Sequence, residues 1–237
     1  MDPVFIRALY YRFLARVFSY PRPGTVAALR EQMPPAETAE AWGESGPRIR
    51  AALERVKRLV GGQSDESLES THLVVFGHTV PDKWPPHETR FGSSHPFQET
   101  QDLADIAAFY EAFGLKIRPG TGERVDHIAL ELEFQHFLAL RELSAREKGD
   151  EEAAAVTLDA SKKFFRDHTG RWGGVFGEIL AQKAPAELTR ACGELLAAVL
   201  HGDRELLGVV PGAVSAEPIP LPPEPEGEDD GGLDGPV

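Results

Sequence analysis

Apolar residues in this chain recur at every third or fourth position, segment after segment, and nowhere alternate convincingly with polar ones. That period belongs to the α-helix, not to the strand. Proline and glycine punctuate it. Asp2-Pro3 supplies an N-cap residue and then proline at the first helical position. Ile6, Leu9, Tyr10, Phe13 and Val17 follow at helical spacing until Pro21 and Pro23 end the run. A short helix is expected from Thr25 to Gln32, and a turn or two from Ala36 to Trp42. Ser45-Gly46-Pro47 opens a helix with Ile49, Leu53, Val56 and Val60 inward, stopped by Gly61-Gly62. Ser64 caps the next, which runs to about Phe76 with Leu68, Thr71, His72 and Val75 inside. Further helices are expected over 99–113, from Gly122 to about Arg146, from Asp150 to about His168, around Trp172 to Leu180, and onward from Pro185. In the helix from Asp150, Val156, Ala160 and Phe164 point inward; in the last, Leu188, Cys192, Leu195 and Val199 do. The expected fold class is all-α: one globular domain of about nine or ten helices over residues 1–210.

From Pro211 the composition shifts to Pro, Gly, Glu and Asp, which predicts a disordered acidic tail over 211–237. The charge is uneven for the same reason. Taking the seven acids from Glu217 onward out of the net −13 leaves the body at −6. A mildly acidic body argues against nucleic acid, which needs a basic footprint. It suits a basic peptide, because opposite charge steers encounter. One cysteine, Cys192, rules out an intrachain disulfide and a cysteine-based zinc site. There is no secretory n-region and h-region, and no run of the roughly 20 apolar residues that would span a bilayer. The expected location is the cytoplasm; the spacing leaves monomer and homodimer both open.

Two stretches stand apart from this periodicity. Between Gly77 and Pro96 no period holds, yet the segment carries Trp84, Pro86, His87, Glu88, Arg90, Phe91 and His95. Long loops in compact domains are usually functional or disordered, and this aromatic content argues for an ordered loop lying on the helices. The plainer alternative is a crossover whose Trp84 and Phe91 only plug the core. In the second stretch, Gly122 to Phe134, helical spacing puts Val125, Ile128, Ala129, Leu132 and Ala139 on one side. Glu123, Asp126, His127, Leu130, Glu133, Phe134 and Phe137 gather on the other. Carboxylates, an imidazole and phenyl rings on one face would suit a ligand that is part basic and part apolar. The plainer alternative makes Asp126 and Glu133 surface charges and His127 a satisfied, half-buried histidine.

Catalytic signatures are missing. There is no nucleophile elbow, no dinucleotide fingerprint after a strand and no His-Glu-x-x-His. The Gly-Thr-Gly at 120–122 lacks the lysine of a phosphate loop. Neither an enzyme nor a bound cofactor is expected. The alternative is a metal-dependent hydrolase or other enzyme using Asp126, His127 and Glu131.

Three blocks together carry a family resemblance: Thr71-His-Leu-Val-Val-Phe76 through Pro85-Pro86-His87-Glu88-Thr89; Asp102-Leu-Ala-Asp-Ile-Ala-Ala-Phe109-Tyr110-Glu-Ala-Phe-Gly114; and Glu123-Arg-Val-Asp126-His127-Ile-Ala-Leu-Glu131-Leu-Glu133-Phe134. From about Val4 to Leu200 the chain resembles the TorD/DmsD/NarJ family of cytoplasmic chaperones for molybdoenzymes. The resemblance implies an all-helical chaperone without catalytic activity. Its partner would be the apo catalytic subunit of a DMSO-reductase-class molybdoenzyme, gripped by its N-terminal leader, of twin-arginine type in exported clients. The chaperone would assist cofactor insertion and delay export. Matching the family's leader-binding region are Phe76, Trp84, Pro86, Glu88, Tyr110, Asp126, His127 and Glu133. Where the family has Pro-Pro-Tyr-Glu-Ser, this chain has Pro-Pro-His87-Glu88-Thr89.

Overall fold

The computed structural model describes residues 1–77, 83–92, 96–116 and 123–220. Their architecture is all-helical; the nearest thing to a sheet among them is one isolated antiparallel bridge between His87 and His127. Among the described residues nine α-helical segments appear, the seventh and eighth running on through a π turn to make one rod. The Pro119-Gly120 turn, His95 and the acidic stretch 221–237 lie outside the described residues.

The first helix, α1 (Pro3–Phe18), starts where the sequence says it should. Asp2 accepts the Val4 N–H at 2.8 Å, and proline fills the next position, where no donor is needed. α2 (Thr25–Glu31) and a 3₁₀ stretch (Ala36–Ser45) lead into α3 (Gly46–Gly61), whose Ile49, Leu53, Val56 and Val60 are all buried as their spacing requires. Ser64 and Ser67 form a reciprocal capping box at the start of α4 (Asp65–Phe76). After the loop come α5 (Pro96–Ala112), α6 (Ile128–Glu147), α7 (Glu151–Phe164), the π turn (Phe165–Thr169), α8 (Gly170–Lys183) and α9 (Glu187–Leu207).

Two devices fix how the long helices meet. α8 and α9 cross closely because Gly177 and Gly193 face each other: a Cβ on Gly193 would lie 2.6 Å from the Gly177 carbonyl oxygen. α1, α6, α7 and α9 are tied at one buried polar knot. The Arg7 guanidinium donates to both Asp203 oxygens (2.5 and 3.1 Å) and to Ser161 Oγ, and Ser161 in turn donates to Gln135. Buried charges are tolerated only when paired in this way.

Four expectations are corrected. The sixth helix begins at Ile128, not Gly122, with His127 as its N-cap, so Glu123, Asp126 and His127 are not on a helical face. The break expected after His168 is a π turn in a continuous rod. Gly170 permits it, since a Cβ there would lie 2.4 Å from the Phe165 ring. Val156 is 59% exposed; the inward face of α7 is Ala154, Thr157, Ser161 and Phe164. Finally, the first ten residues of the expected tail are not detached from the body. Residues 211–220 run back against the loop, where Ser215 N–H donates to the Phe91 carbonyl and Ile219 N–H to that of Arg90.

Candidate functional site

The loop and the start of α6 are sewn together by backbone bonds. Glu88 N–H donates to the Asp126 carbonyl at 3.0 Å, and Ile128 N–H donates to that of Pro86 at 2.9 Å. This is the His87–His127 bridge, and it explains why the helix starts where it does. His127 is extended because it pairs with the loop, and its side chain then caps α6, its Nδ1 accepting the Ala129 N–H at 3.2 Å.

Asp126 is fully buried inside that seam. One oxygen accepts the Thr89 N–H (3.2 Å) and hydroxyl (2.8 Å); Arg124 reaches both oxygens at 3.0 and 3.1 Å and continues to Glu99. Glu88, 2% exposed, faces the π turn: His168 Nδ1 lies 3.1 Å away and Arg171 Nη1 3.7 Å. The other His168 nitrogen meets Asp105 at 3.2 Å. Burial pulls that imidazole down, but the hydrogen bond and charge of Glu88, with Asp105, outweigh it and leave His168 raised. Glu131 is sealed in as well, accepting the Trp172 indole N–H at 3.1–3.2 Å. Burial, then the charge of Glu88, lifts its carboxyl well above the usual range. His87 and His127 stand edge to face at 5.2 Å. Burial pushes them down to about 4 and about 3. His127 is thus uncharged at neutral pH, and the 3.8 Å approach of Glu123 to its Nε2 is not an ion pair.

The sequence-derived residues therefore separate. Asp126, His127, Pro86 and Glu88 meet at the seam, but buried and already partnered. Their carboxylates are not open to an incoming guanidinium, which corrects the role expected for Asp126 and Glu88. Tyr110 is buried against Phe134 and Phe164 in a second, smaller core, its hydroxyl donating to the Val125 carbonyl. Glu133 is exposed on α6. Phe76 and Trp84 remain half-exposed and lie together, Trp84 Nε1 donating to the Val75 carbonyl at 2.6 Å. Phe91 proved to be the core plug, fully buried against Trp172 and Phe176. For the enzyme alternative the geometry is unfavourable: Asp126, His127 and Glu131 turn to different partners, and among the described residues no group of three His, Cys, Asp or Glu side chains is placed to hold a metal ion.

Sequence reasoning passed over Arg124, Thr89 and Trp172, which complete the seam. Only Arg124 had a local signal, two positions before an acid. It also passed over an apolar surface beside Phe76. There the end of α1, α2, α4 and the start of α9 enclose a pocket of about 30 Å³, lined by Phe18, Leu29, Leu68, His72, Phe76, Leu188 and Cys192 among others. That is room for the tip of one apolar side chain. The rings of His72 and Phe76, which line it, continue to Tyr20 in a row, Tyr20 to His72 at 5.3 Å and His72 to Phe76 at 4.9 Å. Burial pushes His72 down to about 4, so the middle ring is uncharged. Tyr20 is 42% exposed and its hydroxyl donates to Glu69, which sets an acid at the edge.

Among the described residues no helix is long and apolar enough to cross a membrane. Residues 37–178 match the family described as nitrate reductase delta subunit. No curated protein matches the chain significantly.

Proposed function

We propose, from the premise that this chain belongs to the nitrate reductase delta subunit family, a NarJ/TorD-type family of molybdoenzyme maturation chaperones, that it grips the N-terminal leader of an apo molybdoenzyme catalytic subunit. In this reading it acts in the cytoplasm, holds the subunit while the molybdenum cofactor is inserted, and performs no reaction of its own. The observation that carries the reading is the half-exposed apolar row of Tyr20, His72 and Phe76 over a pocket, next to Trp84 and with an acid at its rim. A leader of this class presents basic residues and then an apolar run. The row takes the run, as helix-in-groove complexes do; Glu69 orients the basic end. Each apolar anchor contributes about 1–3 kcal/mol and each exposed ion pair about 0–1 kcal/mol, so burial sets affinity and charge sets orientation.

The residues of the seam keep a role in this reading, at one remove. Asp126, His127, Pro86, Glu88 and Tyr110 hold the loop that presents Trp84, while Glu133 contributes only surface charge. Calorimetry with the synthetic leader of a molybdopterin subunit encoded beside this chain tests the function. Saturable binding that Phe76→Ala weakens about tenfold is the expected result. No binding of the leader by the native chain overturns the function. Binding indifferent to Phe76→Ala moves the site elsewhere.

A further inference from the structure

The segment 211–220 does something its composition does not announce. It lies along the 3₁₀ turn of the loop and makes three backbone-directed contacts there. Ser215 N–H donates to the Phe91 carbonyl at 3.1 Å, and Ile219 N–H to the Arg90 carbonyl at 2.7 Å. In return the Arg90 guanidinium donates through Nε (3.0 Å) and Nη2 (2.5 Å) to the Ile219 carbonyl. Between the two anchors the chain folds out in a bend at Ala216 and Glu217, where the Ser215 hydroxyl donates to the Glu217 carbonyl and accepts its N–H. Val214 packs on the main core.

The two sides of this contact are unequal. The edge beneath is built in. Phe91 is fully buried on Trp172 and Phe176, and Glu88 and Thr89 just before it are pinned by Asp126. The segment above is held by little. Ala216 and Glu217 are exposed, and the Glu217–Lys183 pair spans 3.9 Å between side chains 81% and 55% exposed. Such a pair contributes next to nothing, and a peripheral segment with few buried contacts opens at low free energy. When it lifts, the carbonyls of Arg90 and Phe91 and the Nε and Nη2 of Arg90 give up the bonds they made to the segment, on a surface that keeps its shape. That is a preorganised receptor for backbone: it reads two N–H groups and one carbonyl of any extended peptide, with apolar side chains at the places of Val214 and Ile219.

We propose that residues 214–219 are a displaceable internal occupant of a peptide-docking edge at Arg90–Phe91, and that an extended apolar segment of the client's leader takes their place on binding. This rests on the chaperone reading above. The edge belongs to the same loop as Trp84, so one leader can engage the apolar row and the edge together. The C-terminal segment then competes with the client in cis and sets a threshold for capture.

Proline substitution isolates the device in the full-length chain, because Ser215→Pro and Ile219→Pro each delete one anchoring N–H. Ala216→Pro, on the exposed bulge, is the control. Two titrations are read by calorimetry after melting curves confirm that the double variant Ser215→Pro/Ile219→Pro folds. In the first, a synthetic peptide of residues 209–220 is expected to bind the double variant and not the native chain or the control. In the second, the leader of the molybdopterin subunit encoded beside this chain is expected to bind the double variant about fivefold more tightly than native, since freeing the competent state removes its population penalty. Leader affinity equal in both proteins overturns the proposal and leaves the chaperone reading standing. A peptide that fails to bind the double variant overturns it as well. Failure of the leader to bind either protein removes the chaperone reading and the proposal together. Should the double variant not fold, the single variant Ile219→Pro, which deletes one anchoring N–H and leaves the edge intact, replaces it with the same expected and overturning outcomes for the leader titration.

Discussion

The seam between the loop and α6 and the apolar row beside α4 both border the loop that follows α4, and they use their residues in opposite ways. The seam is dense in chemistry: Asp126, His87, His127, Glu88 and, just beyond, Glu131. All are buried and most are already bonded to this chain's own groups. The row is plain: a tyrosine, a neutral histidine, a phenylalanine and a tryptophan edge, none of them paired beyond packing and single hydrogen bonds. Yet only the row has surface to offer. A cluster of charged residues in a sequence marks where an unusual local structure must be held. It does not mark where a ligand binds unless those charges also reach solvent.

The comparison can be broken or sharpened by measurement. The largest effect is expected from Asp126→Ala, which strips the carboxylate from Thr89 and Arg124. Lost hydrogen bonds to a buried charge cost about 2–3 kcal/mol, read as a lower melting temperature. Leader affinity corrected for the folded fraction should fall only a few-fold, since Asp126 holds the loop that presents Trp84 and does not touch the leader; a folded variant that has lost binding altogether would put the site back in the seam.

The pH dependence of stability comes next. His127 and His87 have folded pKa values of about 3 and about 4, below the unfolded value near 6.5. The unfolded chain therefore takes up protons first, and stability falls as pH drops below about 6.5 toward those folded values. At 1.36 kcal/mol per pH unit, each histidine accounts for about 1–2 kcal/mol by about pH 5. His168, raised by Glu88, acts with the opposite sign: its contribution is present at low pH and is lost as pH rises through its folded value. Chemical denaturation at several pH values on native and His127→Gln protein checks this, and a pH slope unchanged by the substitution would show the imidazole to be hydrated.

Phe76→Ala should lower leader affinity about tenfold, near 1.4 kcal/mol, for a loss of stability of about 1 kcal/mol, because the ring is half-exposed to begin with. The smallest effect belongs to Glu133→Gln. An exposed carboxylate should change neither the melting temperature nor leader affinity by more than about 0.5 kcal/mol. A large loss of affinity there would restore the acidic face of α6 as a contact surface.

Much of the fold could be read directly. The 3.6-residue spacing of Ile49, Leu53, Val56 and Val60, the cap at Asp2-Pro3 and the serine cap of α4 are local features, and each element follows from them. The site was less legible. The face drawn from Glu123 to Phe137 assumed that the helical period continues through 126–127. Nothing local forbids it. The helix stops short there because Pro86 and Glu88, some forty residues earlier in the chain, capture the backbone of Asp126 and Ile128.

The sequence by itself determined that this protein is helical, where most of its helices begin and which family it joins, because propensity, capping and apolar period act within a turn or two of each residue. The tertiary structure alone decided which carboxylates are spent and which surface is left. It turned His168 toward Glu88 through a π turn, and it laid residues 211–220 over the loop instead of leaving them to solvent. Burial and partner choice depend on what arrives from far along the chain, and no local pattern encodes that.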